Sequence, residues 1–162
     1  MKNILKALEY LKNTEPRFDT VIDEFGEPDF EPQDNYFKAL VRSIIYQQLS
    51  GKSAFAIYSR YLQLFNLTEF PSPQQVIAIP DSQYTSIGLS RQKICYIKEI
   101  SQAFSNKEIV PENITKLKDD EVRKQFIKIK GIGPWTIDMF LMFALNRPDI
   151  LPVNDLGIQK GF

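Results

Sequence analysis

The chain has 162 residues, of which 43% are hydrophobic, and its 20 basic and 20 acidic side chains cancel to a formal net charge of zero. Its length is that of one globular domain, or of two small lobes that share a core. It contains no histidine and a single cysteine, Cys95, which excludes within this chain an intramolecular disulfide, a Cys/His zinc site and a Ser-His or Cys-His nucleophile pair.

The first predicted element is an amphipathic helix in the N-terminal stretch MKNILKALEYLKN, which Lys6, Glu9 and Lys12 interrupt. These charges and the lack of a small-residue cleavage site argue against a signal peptide. The longest apolar run, Met139 to Leu145, has seven residues, far fewer than the roughly 20 that span a bilayer. The chain is therefore predicted to lack a membrane span. Its single cysteine predicts an intracellular, reducing location.

Residues 1–35 hold most of the acidity, with four basic and nine acidic side chains, so residues 36–162 carry a net charge of +5. The acidic segment Asp23 to Asp34 lacks the spacing of an EF-hand and is predicted to be a solvated loop rather than a calcium site. Outside this loop, residues 1–33 are predicted to be helical.

Helical periodicity dominates the rest of the chain and predicts an all-α fold. The first strongly amphipathic helix covers about 35–49, and similar patterns follow at about 54–65, 94–104, 122–129 and 137–145.

Capping residues agree with this segmentation. Ser72-Pro73 with Gln75, and Ser90, have the pattern of helix N-termini. The acidic run Asp119-Asp120-Glu121 is interpreted as a capping cluster rather than a metal site.

The helix at 35–49 leads into Gln47-Gln48-Leu49-Ser50-Gly51, which places paired amides and an apolar side chain at a turn. A protein that extracts a base from a duplex must fill the space that the base leaves, and these residue types suit that task. The alternative is structural, with Leu49 in the core and the glutamines as a solvated helix end.

The stretch KGIGPWTIDMF, Lys130 to Phe140, predicts a helix-hairpin-helix. Its turn, Gly131-Ile132-Gly133, joins a helix that ends near Ile129 to one that starts at Pro134. Glycine permits φ > 0 and close backbone approach, and proline suits a first helical position. Ile132 is expected to anchor the turn from below.

The second helix of this hairpin starts with unpaired backbone N–H groups at the positive end of its dipole, which suits a DNA phosphate. The segment from Arg123 to Trp135 contains four basic residues and no acidic one, and the basic residues are Arg123, Lys124, Lys128 and Lys130. Such binding is independent of base sequence and depends on salt. Many helical hairpins have a glycine turn for packing alone, so the motif by itself leaves both interpretations open.

The segment LPVND, Leu151 to Asp155, is a proline-containing loop that places Asp155 at a predicted helix start, 20 residues after Trp135. An apolar helix followed by this loop can return Asp155 to the end of the molecule that holds the hairpin. The alternative is that Asn154 or Asp155 is simply a helix N-cap.

Together, IKGIGPWTIDMFLMFAL, IIYQQLSGKSA, GLSRQKICYIKEI and LPVNDLGIQKGF resemble the helix-hairpin-helix (HhH-GPD) DNA glycosylase superfamily, in particular its 3-methyladenine DNA glycosylase II branch. The resemblance covers roughly residues 36–162. It implies an all-α, two-lobed fold with DNA crossing the cleft, as one HhH-GPD domain over 1–162 with its helix-hairpin-helix at about 119–145.

The resemblance also implies roles for individual residues. Asp155 matches the family's catalytic aspartate, and Trp135 matches its pocket aromatic. Tyr36, Tyr46 and Tyr58 are candidates for further pocket walls, with core packing as the alternative. The implied DNA-binding residues lie in the hairpin and in the segment that plugs the duplex, and they are Lys130, Gly131, Ile132, Gly133, Thr136, Gln47, Gln48, Leu49 and Ser50.

The implied activity is hydrolysis of the N-glycosidic bond of alkylated purines, such as 3-methyladenine and 7-methylguanine, in duplex DNA by base flipping. Relatives that also cleave the strand use a lysine where this chain has Trp135, so the resemblance implies a monofunctional enzyme. Iron–sulfur relatives use four cysteines, so no cluster is expected here. Backbone carbonyls of Ile129 and Ile132 are a candidate Na⁺ or K⁺ site.

The expected partner is duplex DNA containing damaged bases, and the expected state is a monomer in the cytoplasm, associated with the nucleoid, or in the nucleus. The chain stops at Phe162, where the resemblance implies further helices that complete the catalytic lobe. This departure leaves two other hypotheses open. One is a non-catalytic DNA-binding module or incomplete fragment, and the other is a helical bundle whose glycine turn serves packing alone.

Overall fold

The computed structural model describes residues 2–26, 33–65 and 69–161, and within these ranges its regular structure is eleven helices and no strand. The helices are α1 Lys2–Thr14, α2 Arg17–Phe25, α3 Tyr36–Tyr46, α4 Gly51–Gln63, α5 Pro73–Ala78, α6 Asp81–Ser86, α7 Arg91–Ser105, α8 Pro111–Ile114, α9 Asp119–Phe126, α10 Pro134–Phe143 and α11 Leu156–Gly161. The predicted all-α fold is confirmed. No helix of the described ranges is both long and apolar enough to cross a bilayer.

The chain divides into two compact units, Met1–Glu31 and Pro32–Phe162. In the first unit, α1 and α2 contact each other, and Lys12 forms an ion pair with Asp19 at 3.3 Å between Nζ and Oδ1. Both helices were expected from the sequence. Part of the predicted acidic loop, residues 27–32, lies outside the described residues.

The core of the second unit forms around α3 and α7, which pack directly against each other. The buried face of α3 consists of Phe37, Leu40, Val41, Ile44 and Ile45, and that of α7 includes Ile94, Ile97 and Ile100. These positions recur every three or four residues, so one face of each helix is apolar. Each aliphatic side chain removed from water contributes about 1.5–3 kcal/mol to stability. Helix α3 also contacts α4 and α10, and α10 contacts α9.

The predicted helix caps are present. Ser72 and Gln75 form a reciprocal capping box at the start of α5. The Ser90 hydroxyl accepts the Lys93 backbone N–H at the start of α7, with an O to N distance of 3.3 Å. At α9, Glu121 accepts the backbone N–H of Lys118 at 2.7 Å. The interpretation of the acidic run as helix-terminal is therefore confirmed for Glu121.

Three helices end earlier than their periodicity predicts. Helix α3 ends at Tyr46, α9 ends at Phe126 and α10 ends at Phe143. In the first two cases an apolar turn residue, Leu49 or Ile129, falls on the helical repeat although the backbone has already left the helix. Periodicity alone cannot detect such ends. These two early ends create the turns that border the site described below.

Candidate nucleic-acid interface and active site

Four segments of the second unit surround an open cleft of about 730 Å³. They are the turn after α3, the first half of α7, the hairpin with the start of α10, and the start of α11. The residues that line the cleft are Gln47, Gln48, Ser90, Gln92, Lys93, Tyr96, Gly131, Gly133, Pro134, Trp135, Thr136, Asn154, Asp155 and Leu156. Seven of the predicted site residues are among them, and they are Gln47, Gln48, Gly131, Gly133, Trp135, Thr136 and Asp155.

Gly131 and Gly133 differ in what their positions require. Gly131 has φ of +96°, and a Cβ built on it lies only 2.2 Å from the Tyr96 Cγ. Only glycine fits there, because the left-handed conformation and the ring each exclude a side chain. Gly133 has φ of −98° and ψ of 174°, which any residue adopts, and a Cβ built on it meets nothing within 4 Å. The space above Gly133 is open to a ligand.

Helix α10 begins without a side-chain cap. Gly133 occupies its N-cap and Pro134 its first turn, so no side chain bonds to the leading N–H groups. These groups and the helix dipole form a site that suits an anion. Ile132 is only 3% exposed and anchors the hairpin turn as predicted.

The basic residues near the hairpin divide into two groups. Lys124, Lys128 and Lys130 are exposed. Arg123 instead pairs with Asp138, with 2.6 Å between Nη1 and Oδ1, and Asp138 is only 5% exposed. Because a buried carboxylate needs a partner, Arg123 joins α9 to α10 rather than serving a ligand.

Asp155 accepts three hydrogen bonds through its two carboxylate oxygens. Oδ2 accepts the indole N–H of Trp135 at 2.7 Å, and Oδ1 accepts the backbone N–H groups of Gly157 at 2.8 Å and Ile158 at 3.2 Å. Asp155 therefore caps α11, as the structural alternative predicts, and also lies in the cleft beside Trp135. The two interpretations are compatible because each uses a different oxygen.

These hydrogen bonds favour the ionised carboxylate. The indole donor, with smaller contributions from the two backbone donors, holds the pKa of Asp155 below the ordinary value for an aspartate. Asp155 is partly exposed. The site thus presents a fixed negative charge next to an aromatic ring.

The turn after α3 is irregular and partly tethered. Gln48 has φ of 56°, and Leu49 is 39% exposed. The Gln47 side chain does not extend into solvent, because its Nε2 donates to the Thr136 hydroxyl at 3.0 Å. Ser50 caps α4 by accepting the Ser53 backbone N–H. Gln48 and Leu49 are therefore the side chains of this turn that are free to meet a ligand.

The predicted pocket tyrosines lie outside the cleft. Tyr46 lines a neighbouring apolar cavity of about 250 Å³, which Thr136 also borders. The guanidinium of Arg42 lies 4.7 Å from the Tyr46 ring centroid. Tyr36 lines neither of these cavities and packs edge-on against Phe140, with 5.6 Å between ring centroids. Tyr46 is thus adjacent to the cleft, whereas Tyr36 is part of the packing of α3 on α10.

The carbonyl of Ile129, one of the two predicted for a Na⁺ or K⁺ site, takes part in the hairpin turn. The Ile129 carbonyl accepts the Ile132 N–H at 3.1 Å, which leaves a second lone pair, and neutral oxygens of this kind are suitable ligands for hard cations. Elsewhere in the described ranges, no group of three or more acidic or cysteine side chains could hold a metal ion.

Lys93 and Tyr96 are among the cleft residues that were not predicted from the sequence. Both lie in the first half of α7, which its apolar periodicity identified only as a core helix. Their spacing of three residues does place them on one face of the helix, but only the tertiary fold shows that this face borders the cleft.

The uncapped hairpin, the adjacent carboxylate and the apolar turn together form a helix-hairpin-helix site with a carboxylate in the same cleft. The family model for the HhH-GPD superfamily base excision DNA repair protein matches residues 41–162. The chain therefore belongs to the HhH-GPD superfamily, and the resemblance seen in the sequence is confirmed.

Among sequence relatives, DNA-3-methyladenine glycosylase 1 of Schizosaccharomyces pombe is 34% identical over 128 residues, covering 78% of this chain and 56% of that protein. DNA-3-methyladenine glycosylase of Saccharomyces cerevisiae is 32% identical over 164 residues, covering 94% and 52%. The chain thus spans about half the length of these curated relatives.

Two solved structures are also similar. The Schizosaccharomyces pombe 3-methyladenine DNA glycosylase in complex with abasic DNA superposes with a TM-score of 0.85 at 30% identity, covering 96% of this chain and 78% of that one. DNA-3-methyladenine glycosidase of Bacillus halodurans superposes with a TM-score of 0.78 at 34% identity, covering 93% and 69%.

Proposed function

We propose that this chain is a monofunctional DNA glycosylase domain that removes alkylated purines, of the 3-methyladenine and 7-methylguanine type, from duplex DNA. The observation that carries the proposal is the hydrogen-bonded pair of Trp135 and Asp155 in the same cleft as the open end of α10. The names of the sequence relatives support it. We propose that residues 1–162, although they form two compact units, act as one glycosylase domain with its hairpin at about 119–145.

In this proposal the partner is duplex DNA containing a damaged base. A phosphate binds at the N–H groups that open α10, above the open space at Gly133. The exposed Lys128 and Lys130 add positive charge nearby. Gln48 and Leu49 enter the duplex where the damaged base has left it. We propose that the protein acts as an intracellular monomer.

Asp155 acts on the sugar. As the bond between C1′ and the base nitrogen breaks, the base takes the electron pair and positive charge develops on the sugar. A fixed carboxylate stabilises that charge, and it orients the water that adds to C1′ and accepts its proton. The products are the free base and an abasic site. The low pKa of Asp155 keeps the carboxylate in the required ionised form.

Trp135 acts on the base. A purine alkylated on a ring nitrogen is already cationic, and an indole face attracts a cation by about 0.5–2 kcal/mol. Because such a base leaves as a neutral molecule, it needs little help from an acid. This suits a chain without histidine.

The chemistry is proposed to stop at the abasic site. Cleavage of the strand requires an amine nucleophile, and the position that holds the lysine in strand-cleaving relatives is Trp135. Lys93 lies in the cleft, but its Nζ donates to the carbonyls of Ile45 and Gln47. A Na⁺ or K⁺ ion at the carbonyls of Ile129 and Ile132 would add positive charge beside the phosphate, and no iron–sulfur cluster is proposed.

The test compares Asp155→Asn with Asp149→Asn. Asparagine caps a helix about as well as aspartate, so Asp155→Asn preserves α11 while removing the negative charge. Asp149 is exposed and lies on the same connection to α11, which makes it a matched control. Excision is measured under single-turnover conditions, and affinity is measured by anisotropy with a duplex containing a tetrahydrofuran abasic analogue.

We expect Asp155→Asn to lower the excision rate by about 10²- to 10³-fold, as for loss of one electrostatic stabiliser, with affinity for the abasic duplex retained. Asp149→Asn should match the wild type in both assays. Full activity of Asp155→Asn would show that Asp155 serves only as a helix cap. Salt-sensitive binding by a wild type that excises nothing would instead identify a DNA-binding module or an incomplete catalyst.

A further inference from the structure

The turn formed by Gln47, Gln48 and Leu49, called here the wedge turn, needs support from outside its own backbone. Gln48 has a left-handed φ of 56°, which is unfavourable for a residue other than glycine. The one backbone hydrogen bond across the tip, from the Leu49 N–H to the Tyr46 carbonyl, is long at 3.4 Å. Backbone hydrogen bonding therefore contributes little to fixing the tip of this turn.

Lys93 supplies that support from α7. Its Nζ donates to the carbonyl of Ile45 at 2.8 Å and to the carbonyl of Gln47 at 2.8 Å. Carbonyls at a helix C-terminus lack partners within the helix and carry negative partial charge. One ammonium group therefore binds the end of α3 on both sides of Tyr46, directly before the strained residue.

Lys93 can bind a ligand in the cleft in addition to capping α3. None of the ion pairs within the described ranges involves Lys93, and its side chain lines the cleft that contains Asp155. Burial lowers the pKa of Lys93. An ammonium has three N–H groups, so the two carbonyls leave one donor for a ligand in the cleft.

Helix α7 also fixes the hairpin. Tyr96 lies one turn beyond Lys93, and its ring packs so closely on Gly131 that a Cβ there would be 2.2 Å from Cγ. The two sides of the cleft are thus held by neighbouring side chains of one helix. The Gln47 side chain adds a second tie, through its hydrogen bond to Thr136 at the start of α10.

We propose that Lys93 is a positioning residue that holds the wedge turn in the conformation that enters the duplex, at a set distance from the hairpin. This inference rests on the proposed function. Lys93 acts through the turn rather than on the sugar or the base. Its loss should therefore impair extrusion of the base more than cleavage of the glycosidic bond.

The experiment compares Lys93→Met, which keeps the length of the side chain but has no donor, with the wild type. Single-turnover excision of 7-methylguanine is measured in a paired duplex and in a single-nucleotide bulge, where the base is already unpaired and extrusion costs less. We expect excision from the paired duplex to fall by at least about tenfold while the bulge loses less than about threefold, because unstacking costs apply mainly to the paired base. Leu49→Ala, which removes the wedge itself, should give the same pattern.

Two further variants separate positioning from general stability. Lys93→Arg keeps donors for both carbonyls and should restore most of the paired activity. Lys98→Met removes another lysine of α7, one that pairs with Asp81 and does not line the cleft, and should leave the ratio of paired to bulged activity unchanged. The proposal would be overturned if Lys93→Met lost activity equally on the paired and the bulged substrate, or lost none on either.

A second readout does not require excision. A duplex with 2-aminopurine next to a tetrahydrofuran abasic analogue becomes more fluorescent when the wedge turn unstacks the reporter base. We expect the wild type to increase this fluorescence, and Lys93→Met to bind the duplex without the increase. A wild type that unstacks DNA but excises nothing would contradict the proposed activity while supporting the role of Lys93 if the variant loses the signal. Equal signals from both proteins would exclude that role.

Discussion

Asp155 receives one hydrogen bond from an indole and two from backbone N–H groups, so its charge depends directly on these donors. Its pKa is lowered in the folded protein, chiefly by Trp135. A lowered pKa means that the ionised carboxylate favours the folded state above the ordinary aspartate range. This contribution is lost as the pH falls through the folded-state pKa.

At the residue scale, the excision rate should therefore stay constant from neutral pH down into the ordinary titration range of aspartate, and fall only below it. Trp135→Phe removes the strongest donor, so it should raise the pKa of Asp155 and move the acidic limb of the pH–rate profile to higher pH. The position of the limb is the measurement, because loss of the indole also lowers the rate itself. A limb that stays in place in Trp135→Phe would show that the indole does not control the charge of Asp155.

At the scale of the element, the hairpin contains two glycines with different requirements. Gly131 has a positive φ and lies against the Tyr96 ring, whereas Gly133 has an extended backbone and open space around it. Packing explains the first glycine and leaves the second unexplained. The proposed approach of a phosphate to the α10 N-terminus would account for Gly133.

Alanine substitutions should separate the two roles. Gly131→Ala should lower the free energy of unfolding by at least about 2 kcal/mol, because the left-handed conformation alone costs about 1–2 kcal/mol and the Tyr96 ring must also move. Gly133→Ala should change stability by less than about 1 kcal/mol, the usual scale for an N-cap change. Gly133→Ala should nevertheless weaken duplex binding by about tenfold, or about 1.4 kcal/mol.

Urea denaturation and anisotropy provide the two measurements. Unchanged DNA affinity in a well-folded Gly133→Ala protein would contradict the placement of a phosphate at the start of α10. A stable Gly131→Ala protein would contradict the close packing of Tyr96 on the turn.

Individual helices and their caps could be predicted from the sequence, whereas contacts between distant segments could not. Helices and caps depend on neighbours within a few residues, so the cores of α3, α7 and α10 and the caps at Ser72 and Ser90 were predictable. The contacts of Lys93 with Ile45 and Gln47 join residues 48 and 46 positions apart, and no local pattern contains them. The hydrogen bond from Trp135 to Asp155 likewise depends on the path of the chain between α10 and α11.

At the scale of the whole molecule, the charge is unevenly distributed although the chain has no net charge. Lys124, Lys128 and Lys130 are exposed and precede the hairpin turn in the sequence, and Arg123 is neutralised by Asp138. A local patch of this kind binds the phosphate backbone without reading its sequence.

Affinity for duplex DNA should therefore fall steeply with salt, and similarly for unrelated sequences. Replacing Lys128 and Lys130 by glutamine should reduce the slope of log K against log salt by about 1–2, since each phosphate contact contributes about 0.9 to it. Glutamine at Lys107 and Lys116, which are exposed and lie outside the segment that leads into the hairpin, provides the matched control. A slope that changes equally in both double variants would place the DNA elsewhere.

The most direct test of the account is the product formed from a duplex that carries one 7-methylguanine, analysed with and without hot alkali. We expect strand breaks that appear only after alkali, which identify an abasic product from a glycosylase without lyase activity. Absence of an abasic product at enzyme excess would contradict the proposed activity. Breaks without alkali would contradict the monofunctional mechanism and identify Lys93, which lies in the cleft, as the first amine to test as the nucleophile.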